Sequence, residues 1–574
     1  MRGEFAQAAG FAGWPGPVPG RRGRARESHR LQCLWRRNPN RAETVAVDAS
    51  MAQIAAGAAE LEDGLFAVVR EHAEGMIAWA RSADALAAEH HVLEERGMTD
   101  AMELARLLAQ AHLDLRALRE QRRDDVAGAD GDARVTCEGG QERGRVMIFG
   151  DVTTSRKAYR RRGEPNLYPQ DAELNWGPRC YSAGIERRLA EAIAVLPAGR
   201  AAAQVSRMGA VTVGKRQAEE TAEAYAVDFE GFYASRLPEP CPDGWAVLIT
   251  CDGSAFTVLP SALRAATAKA AAARAKAKQE EGWPEDPADL RKSKKRTAEL
   301  AAIADIPPAP RTAQDILTAL FPARPAKDRE EPKPEPGPKA QGKTLFASVR
   351  RPAAEVIADA FAEAHRRDPE RKRPWIAVID GNNHQIETVG KLAARYGVQV
   401  TILIDLIHVR QYLWKAAGSF FGPGDPDGRD WVRDQTAKIL AGKHRDVRAG
   451  IRRRASTFGF RGRERAGADE CARYLDNKQD YLDYPGFLAG GWPVASGLIE
   501  GAARWLIKDR MEITGARWSL DGAEAVLKLR ALVGCGDFND YAEYHIRQEK
   551  LRNHDSLYRQ PEPIAEDDVQ PLAA

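Results

Sequence analysis

The stretch WIAVIDGNNHQIETVGKLAARYGVQVTILID, from Trp375 to Asp405, decides the fold class. Its two apolar runs, WIAVI and VTILI, have the length and β-branched content of buried strands. Between them, IETVGKLAARYG repeats its apolar residues every three or four positions, which is typical of an amphipathic helix. A strand, a helix and a strand in so short a span favour a right-handed parallel crossover, and therefore an α/β fold.

Three aspartates stand at the ends of apolar runs. Asp380 follows WIAVI, Asp405 follows VTILI, and Asp252 follows AVLITC. Ligands and catalytic groups gather at the carboxyl edge of an open α/β sheet. Carboxylates there could hold Mg²⁺, and two such ions support phosphodiester chemistry. Taken singly, Asp252 and Asp380 precede glycine and could be turn residues, while Asp405 could cap the helix that begins at Leu406.

The imidazole of His408 comes one helical turn after Asp405. This pair could belong to a metal site, or Asp405 could simply cap its helix. The residues of this stretch leave both interpretations open.

The composition sets the broad class. The chain has 574 residues, which predicts three or four structural units, and 44% hydrophobic with 29% charged residues is typical of a soluble globular protein. The net charge of +3 means that any DNA-binding surface must be local.

The seven cysteines form no C-x-x-C pair, which argues against structural zinc and for a reducing cytoplasm. No apolar run approaches the ~20 residues of a membrane helix, so we predict no membrane association.

Periodicity and composition divide the chain into regions. We predict a disordered basic tail at 1–50, with Met51 as the biological start, and a disordered tail at 556–574. Between them we predict a helical region at 51–125, a DNA-binding region with a helix-turn-helix-like unit at 126–240, an α/β core at 241–420 (265–345 partly linker), a basic helical insertion at 421–490, and C-terminal helices at 491–555. GRVMIFGDVTTSRKAYRRRG, within 126–240, alternates like a strand pair with basic exposed positions.

The segment 181–233 has the proportions of a helix-turn-helix unit. One helix ends near a turn at Met208-Gly209, and a second begins after Gly214. Lys215, Arg216 and Gln217 would lie at the N-terminal end of the second helix, where a recognition helix meets base edges and phosphates. The alternative is an ordinary helical hairpin with a solvated basic tip.

Of two further motifs, one predicts contact with DNA and the other is a chance match to a nucleotide-binding pattern. RDVRAGIRRRASTFGFRGRERAG, within the insertion, is rich in arginine and poor in acids. It predicts DNA-backbone contacts through Arg452, Arg453 and Arg454, although a solvated helical face is the alternative.

GPKAQGKT, residues 337–344, matches the phosphate-binding loop pattern, but a Pro/Glu/Lys linker precedes it and strand-like residues follow. We therefore predict no nucleotide cofactor, because the required strand–loop–helix context is missing.

The most specific block is GWPVASGLIEGAARWLIKDRMEITGARWSLDGAEAVLKLRAL, residues 491–532. It resembles the C-terminal signature of ISKra-type insertion-sequence transposases, which runs Gly-x-Ile-Glu, Arg-x-x-x-x-Gly-x-x-Trp, then a Leu-Arg-Ala-Leu helix. IAVIDGNNHQ, IDLIHVRQYLWKAA, KRQAEETAEAYAVDFEGFY and AYRRRGEPNLYPQDAELNW also resemble that family. The resemblance covers about residues 140–555.

The resemblance implies a DDE transposase with an RNase H-like core in 241–420, which cuts and joins DNA with two Mg²⁺ or Mn²⁺ ions. Asp252 would be the first catalytic acid and metal ligand, on the first strand. Asp380 would be the second, after the fourth strand, and Glu500 the third, on a helix beyond the helical insertion. Asp405 and His408 resemble an Asp-x-x-His signature that supports the site, while Asp405 stays the rival for second acid.

The resemblance also implies partners and a location. We expect binding to double-stranded DNA, both the element's terminal inverted repeats and the target, by a homo-oligomer in the bacterial cytoplasm at the nucleoid. Arg504, Lys508 and Arg510, near Glu500, are predicted to contact that DNA. The sequence departs from the family pattern in DGSAF, after Asp252, and in Gln411. The alternative function is a DNA-binding regulator, or domesticated transposase, with an inert nuclease core.

Overall fold

The computed structural model describes residues 60–242, 244–280, 294–322, 334–513 and 515–559. The chain divides into a unit of residues 1–64 and a unit of residues 65–574, and the elements below belong to the second. The predicted tail at 1–50, the proposed start at Met51 and residues 560–574 lie outside the described residues, as do 281–293 and 323–333 of the predicted linker.

A helical hairpin and a β-ribbon open the described chain. Their bounds are α1 (Ala67–Ala80), α2 (Ala83–Ala87), α3 (His90–Arg119), β1 (Thr136–Met147), β2 (Gly150–Arg160) and α4 (Pro169–Glu173). β1 and β2 pair antiparallel, which confirms the predicted strand pair, and α3 packs against β2. Arginines of the ribbon form ion pairs, Arg160 with Glu138 and both Arg143 and Arg156 with Asp171.

Four helices lead into the sheet: α5 (Ala183–Val195), α6 (Ala198–Met208), α7 (Lys215–Tyr225) and α8 (Phe229–Ser235). The Ser182 hydroxyl caps α5 by accepting a hydrogen bond from the backbone N–H of Ile185. Ile185, Leu189 and Ile193 recur at four-residue spacing on one face of α5 and are fully buried. They belong to the same hydrophobic core as the sheet, so these helices and the sheet are packed together.

The main sheet has five strands: β3 (Ala246–Thr257), β4 (Lys295–Ile306), β5 (Gln341–Ser348), β6 (Trp375–Ile379) and β7 (Val400–Ile404). Their order is β5-β4-β3-β6-β7. β4 runs antiparallel to both β3 and β5, whereas β3, β6 and β7 are parallel to one another. The protein therefore has an α/β fold with a mixed five-stranded sheet, and the parallel crossover from β6 to β7 is confirmed.

The helices of the core are α9 (Ala265–Glu280), α10 (Ala313–Leu320), α11 (Ala353–Arg367) and α12 (Asn383–Tyr396). α12 connects β6 to β7 and ends at Gly397, whose φ of 60° is the left-handed conformation that favours glycine at a helix end. Gly342, Lys343 and Thr344 of the GPKAQGKT motif lie inside β5. That segment is therefore a strand and not the loop before a helix that phosphate binding requires.

Helices fill the rest of the described chain. They are α13 (Leu406–Phe420), α14 (Pro426–Leu440), α15 (His444–Thr457), α16 (Ala466–Asn477), α17 (Tyr484–Ala489), α18 (Gly497–Ala503), a π-helical turn (Arg504–Lys508), α19 (Leu520–Cys535) and α20 (Phe538–Asn553). α16 packs against α13 and α15, and α19 packs against β5 and α7. Within the described ranges, no helix is both long and apolar enough to cross a membrane.

Candidate active site

Strand register brings the three aspartates to one level of the sheet. Ile249 of β3 pairs with Ala377 of β6, and Ile379 of β6 pairs with Ile404 of β7. The same offsets, continued along the strands, set Asp252 beside Asp380 and Asp380 beside Asp405. Residues at one level of neighbouring strands face the same side of a sheet. The sequence separations alone could not give this alignment, because it depends on the pairing of β3 with β6.

Asp252 and Asp380 are electrostatically coupled. Burial raises the pKa of the Asp252 carboxyl, and the negative charge of Asp380 raises it further. The N–H of Gly253, which donates to Asp252 Oδ1 at 2.7 Å, lowers this pKa, as do the charges of His408 and Lys508. Two half-buried carboxylates with this coupling form a site that favours a cation.

The turn after β6 holds Asp380 against the helical insertion. Asp380 Oδ1 accepts the backbone N–H of Asn382 at 2.8 Å, and the Asp380 carbonyl accepts the Tyr474 hydroxyl at 3.0 Å. Gly381 has φ of 91°, and a Cβ there would lie 2.8 Å from the Tyr474 hydroxyl oxygen. The backbone conformation and the close contact both require glycine. The ring of Tyr474, on α16, stacks on that of Tyr412, with centroids 3.8 Å apart.

Asp405 is fully buried, and both of its carboxylate oxygens accept hydrogen bonds. Oδ1 accepts the N–H of Ile407 at 2.5 Å and so caps α13, as the sequence predicted. Oδ2 accepts the backbone N–H of Ser496 at 2.6 Å and also the Ser496 hydroxyl. Ser496 is the residue that precedes α18. Asp405 therefore joins the end of β7 to the start of the helix that carries Glu500.

Glu500 lies on α18, which packs against β3 and β4. Its side chain is exposed and forms no ion pair or side-chain hydrogen bond with any described residue. Within the described ranges, no three His, Cys, Asp or Glu side chains are close enough together to hold a metal ion. The structure therefore brings Asp252 and Asp380 together, while Glu500 is outside that pair.

The pair nevertheless fits a divalent cation. Mg²⁺ is usually held by one or two protein carboxylates together with substrate phosphate oxygens. Asp252 and Asp380 supply two carboxylates, and burial and their mutual repulsion both oppose the charge of Asp252. A bound cation would remove that repulsion. Asp405 fits less well, since its oxygens already accept bonds from Ile407 and Ser496.

Glu299 on β4 is a further acid of this edge that the sequence did not predict. Burial raises its pKa, as does the charge of Asp252, while Arg264 and His384 lower it. Arg264 Nη2 lies 3.7 Å from Glu299 Oε1. The available signal was a glutamate inside the apolar run ELAAIADI, where the side chain is 18% exposed. A carboxylate in a buried strand is uncommon and often marks a functional site.

The predicted DNA-reading residues lie at the start of α7. The side chains of Lys215 and Arg216 are 69% and 89% exposed and form i,i+4 ion pairs with Glu219 and Glu220. Gln217 Oε1 accepts the N–H of Gly214 at 2.9 Å, so this side chain also closes the helix end. Both cations are therefore accessible to a ligand.

The three arginines of α15 differ in availability. Arg453 is exposed, and the Arg452 guanidinium lies 3.4 Å from Asp476. The Arg454 guanidinium lies over three aromatic rings, at 4.6 Å from the centroid of Phe421, 5.0 Å from Phe420 and 5.5 Å from Phe458. This cation–π contact engages Arg454 within the fold, and its DNA contact stays a prediction.

The cations near Glu500 also differ. Arg504 and Lys508 are exposed. Arg510 is 4% exposed, lies 4.7 Å above the ring of Trp518, and donates to the carbonyl of Ile193 at 3.4 Å. A buried guanidinium cannot reach a DNA phosphate, so the predicted DNA-binding role of Arg510 is withdrawn.

Comparison of the chain with protein-family models and with curated proteins gave no match.

Proposed function

We propose that this protein is a DDE-type DNA transposase that binds the ends of an insertion sequence and catalyses metal-dependent DNA cleavage and strand transfer. The observation that carries the proposal is the coupled pair Asp252 and Asp380, at one level of two neighbouring parallel strands. Such a pair suits the binding of a divalent cation together with the phosphate oxygens of a nucleic acid.

The order of elements supports an RNase H-like core. The family resemblance implies a first acid on the first strand, a second after the fourth strand, and a third on a helix beyond a helical insertion. Asp252 lies on β3, the first strand of the main sheet, and Asp380 follows β6, the fourth. Glu500 lies on α18, after helices α13 to α17. The resemblance and the observed order therefore agree.

Each group at the edge has a role in this proposal. Bound Mg²⁺ or Mn²⁺ would supply Lewis-acid activation of the attacking oxygen and charge stabilisation of the leaving one. Asp252 and Asp380 would hold these ions, with Glu500 added on DNA binding. Lys508 is exposed and within electrostatic range of Asp252, which suits it to bind a phosphate of the reacting strand. Asp405 positions α18 through Ser496.

Recognition of the element's ends would use α6 and α7 as a helix-turn-helix-like unit. The six residues 209–214 connect these helices, and Lys215 and Arg216 stand exposed at the start of the second. The proposed partners are the terminal inverted repeats and target DNA, bound by a homo-oligomer in the bacterial cytoplasm.

One observation favours the second candidate, a DNA-binding regulator with an inert nuclease core. Glu500 is exposed, and the described residues hold no three-ligand metal cluster. In such a regulator the basic surfaces would still bind DNA, but a divalent cation at Asp252 and Asp380 would not support DNA cleavage or strand transfer.

Cleavage and strand transfer on duplexes that carry the repeats flanking the gene test the proposal. Asp252→Asn, Asp380→Asn and Glu500→Gln should each reduce both reactions to background, in Mg²⁺ and in Mn²⁺, because an amide lacks the charge that balances the cations. End binding in a mobility-shift titration should survive. Retention of strand transfer by both Asp252→Asn and Asp380→Asn would contradict the proposal.

Ser496→Ala separates the two rivals for second acid. If Asp405 acts by holding α18, Asp405→Asn should lower strand transfer roughly 10–100-fold. Removing the Ser496 hydroxyl should also lower it, but by less, because the backbone N–H of residue 496 still donates to Asp405. If Asp405 were instead a metal ligand, Ser496→Ala would stay near wild type while Asp405→Asn was inactive and Asp380→Asn was active.

A further inference from the structure

The helix α9 is an accessible cationic element that the proposed DNA-binding regions do not include. Its sequence is AATAKAAAARAKAKQE, and the run from Ala262 to Gln279 holds five cations and no Asp or Glu. Solvated helical faces usually alternate signs, which supplies stabilising i,i+4 pairs. Along this run the charge has a single sign, and the first acid is Glu280 at the end of α9.

Two of these cations are unpaired within the part of the chain that the structure describes. Lys269 and Arg274 are exposed and form no ion pair or side-chain hydrogen bond with any described residue. The alanines explain how the helix persists under this repulsion, because alanine has the highest helix propensity and needs no tertiary partner. Residues 265–274 of α9 are all exposed or half-buried. Lys269 and Arg274 therefore project their charge into solvent.

The start of α9 lies beside the carboxylate edge. β3 continues past Asp252 to Thr257, and a 3₁₀ turn at Pro260–Ala262 leads into the helix. Arg264, immediately before α9, pairs with Glu299, and Glu299 lies within electrostatic range of Asp252. A duplex with a phosphodiester at this edge would therefore lie close to the start of α9.

The side chains of α9 favour one class of partner. A protein interface draws most of its binding energy from buried Trp, Tyr and Arg side chains, and α9 has no aromatic residue and a single arginine. An interfacial membrane helix needs a bulky apolar face opposite its cations, which α9 also lacks. Phosphate contacts of duplex DNA need only accessible cations on a rigid element, and a helix fits the major groove.

We propose that α9 binds the phosphate backbone of the duplex beside the carboxylate edge, through Lys269 and Arg274, independently of sequence. This inference rests on the proposed function, since it takes the DNA at that edge as given. It adds a contact outside both the end-reading unit and the basic insertion, and it assigns a role to the Ala/Lys/Arg-rich segment between β3 and β4.

Binding of the full chain in the Asp252→Asn background to a random-sequence duplex, over a series of salt concentrations, tests the inference without any requirement for catalysis. Lys269→Ala/Arg274→Ala should weaken binding on the order of tenfold at 0.1 M salt and reduce the slope of log K against log salt by about 2. Alanine preserves the helix, which circular dichroism would verify. Lys269→Arg/Arg274→Lys should bind like the parent, because charge and not identity carries the contact.

Lys391→Ala/Arg395→Ala provides the matched control. It removes the same charge from exposed positions near the far end of α12, and should leave affinity and slope nearly unchanged. An equal loss in this control, an unchanged slope in the α9 variant, or a loss seen with anionic vesicles but not with the duplex would overturn the inference. If the parent chain fails to bind duplex at all, the proposed function itself fails, which is a different result.

Discussion

At Asp252 the fold keeps a carboxylate where burial and a neighbouring acid both oppose its charge. The folded pKa lies above the ordinary value of 3.8, so this group favours the folded state below pH 3.8 and loses that contribution as pH rises through the folded pKa. We expect Asp252→Asn to raise the melting temperature at pH 7, by on the order of 1 °C, with the difference vanishing below pH 3.8.

Divalent cations provide the complementary measurement at the same residue. Millimolar Mg²⁺ or Mn²⁺ should raise the melting temperature of the wild-type protein at pH 7, because binding to the folded state alone is stabilising. The same addition should have little effect on Asp252→Asn. An equal shift in both proteins would contradict cation binding at this carboxylate.

The residues of the site differ in how far the sequence could predict them. The helix cap by Asp405 was predictable, because a short polar side chain before an apolar helix is a local signal. Its second bond, to Ser496, was not, since no local pattern connects β7 to residues 91 positions later. Glu299 was missed for the same reason, because its approach to Asp252 depends on the β3–β4 register.

Among the elements, α7 has the clearest test of end recognition. Lys215→Ala/Arg216→Ala should weaken binding to the element's ends more than to random duplex, because these side chains stand exposed where a recognition helix meets bases. Each lost base contact should cost about 1–3 kcal/mol. Lys391→Ala/Arg395→Ala, with the same charge change at exposed positions of α12, is the control, and competition mobility shifts are the measurement. An equal loss of affinity for both DNAs would indicate that α7 contacts only the DNA backbone.

Elements were more predictable than the use of their side chains. The β1–β2 ribbon and the β6–α12–β7 crossover follow from periodicity, whereas β5 begins at Gln341, inside the motif that the sequence assigned to a linker. The arginines of α15 could not be sorted in the same way. Which of them lies over Phe420, Phe421 and Phe458 depends on how α13 packs beside the end of α15.

Across the whole molecule, Arg530 connects distant parts of the chain. It is 1% exposed, donates to the carbonyls of Trp505 and Ala194, and lies 4.2 Å from the centroid of the Trp505 ring. Burial lowers its pKa to about 10. We expect Arg530→Met to lower the free energy of unfolding by about 2–4 kcal/mol, because buried carbonyls lose their donor. Arg504→Met, at a 76% exposed position, should change it by less than about 0.5 kcal/mol in the same denaturant titration.

The sequence by itself determined the α/β class, the strand–helix–strand unit and the three aspartates that follow apolar runs, because periodicity and strand-end chemistry are local properties of the chain. Only the tertiary structure decided that Asp252 and Asp380 are coupled, that Asp405 is bound to Ser496, and that Arg510 is buried against the end of α5. These outcomes depend on strand register and on helices packed against distant segments. Electrostatic coupling and burial arise from such non-local contacts, which no short stretch of sequence encodes.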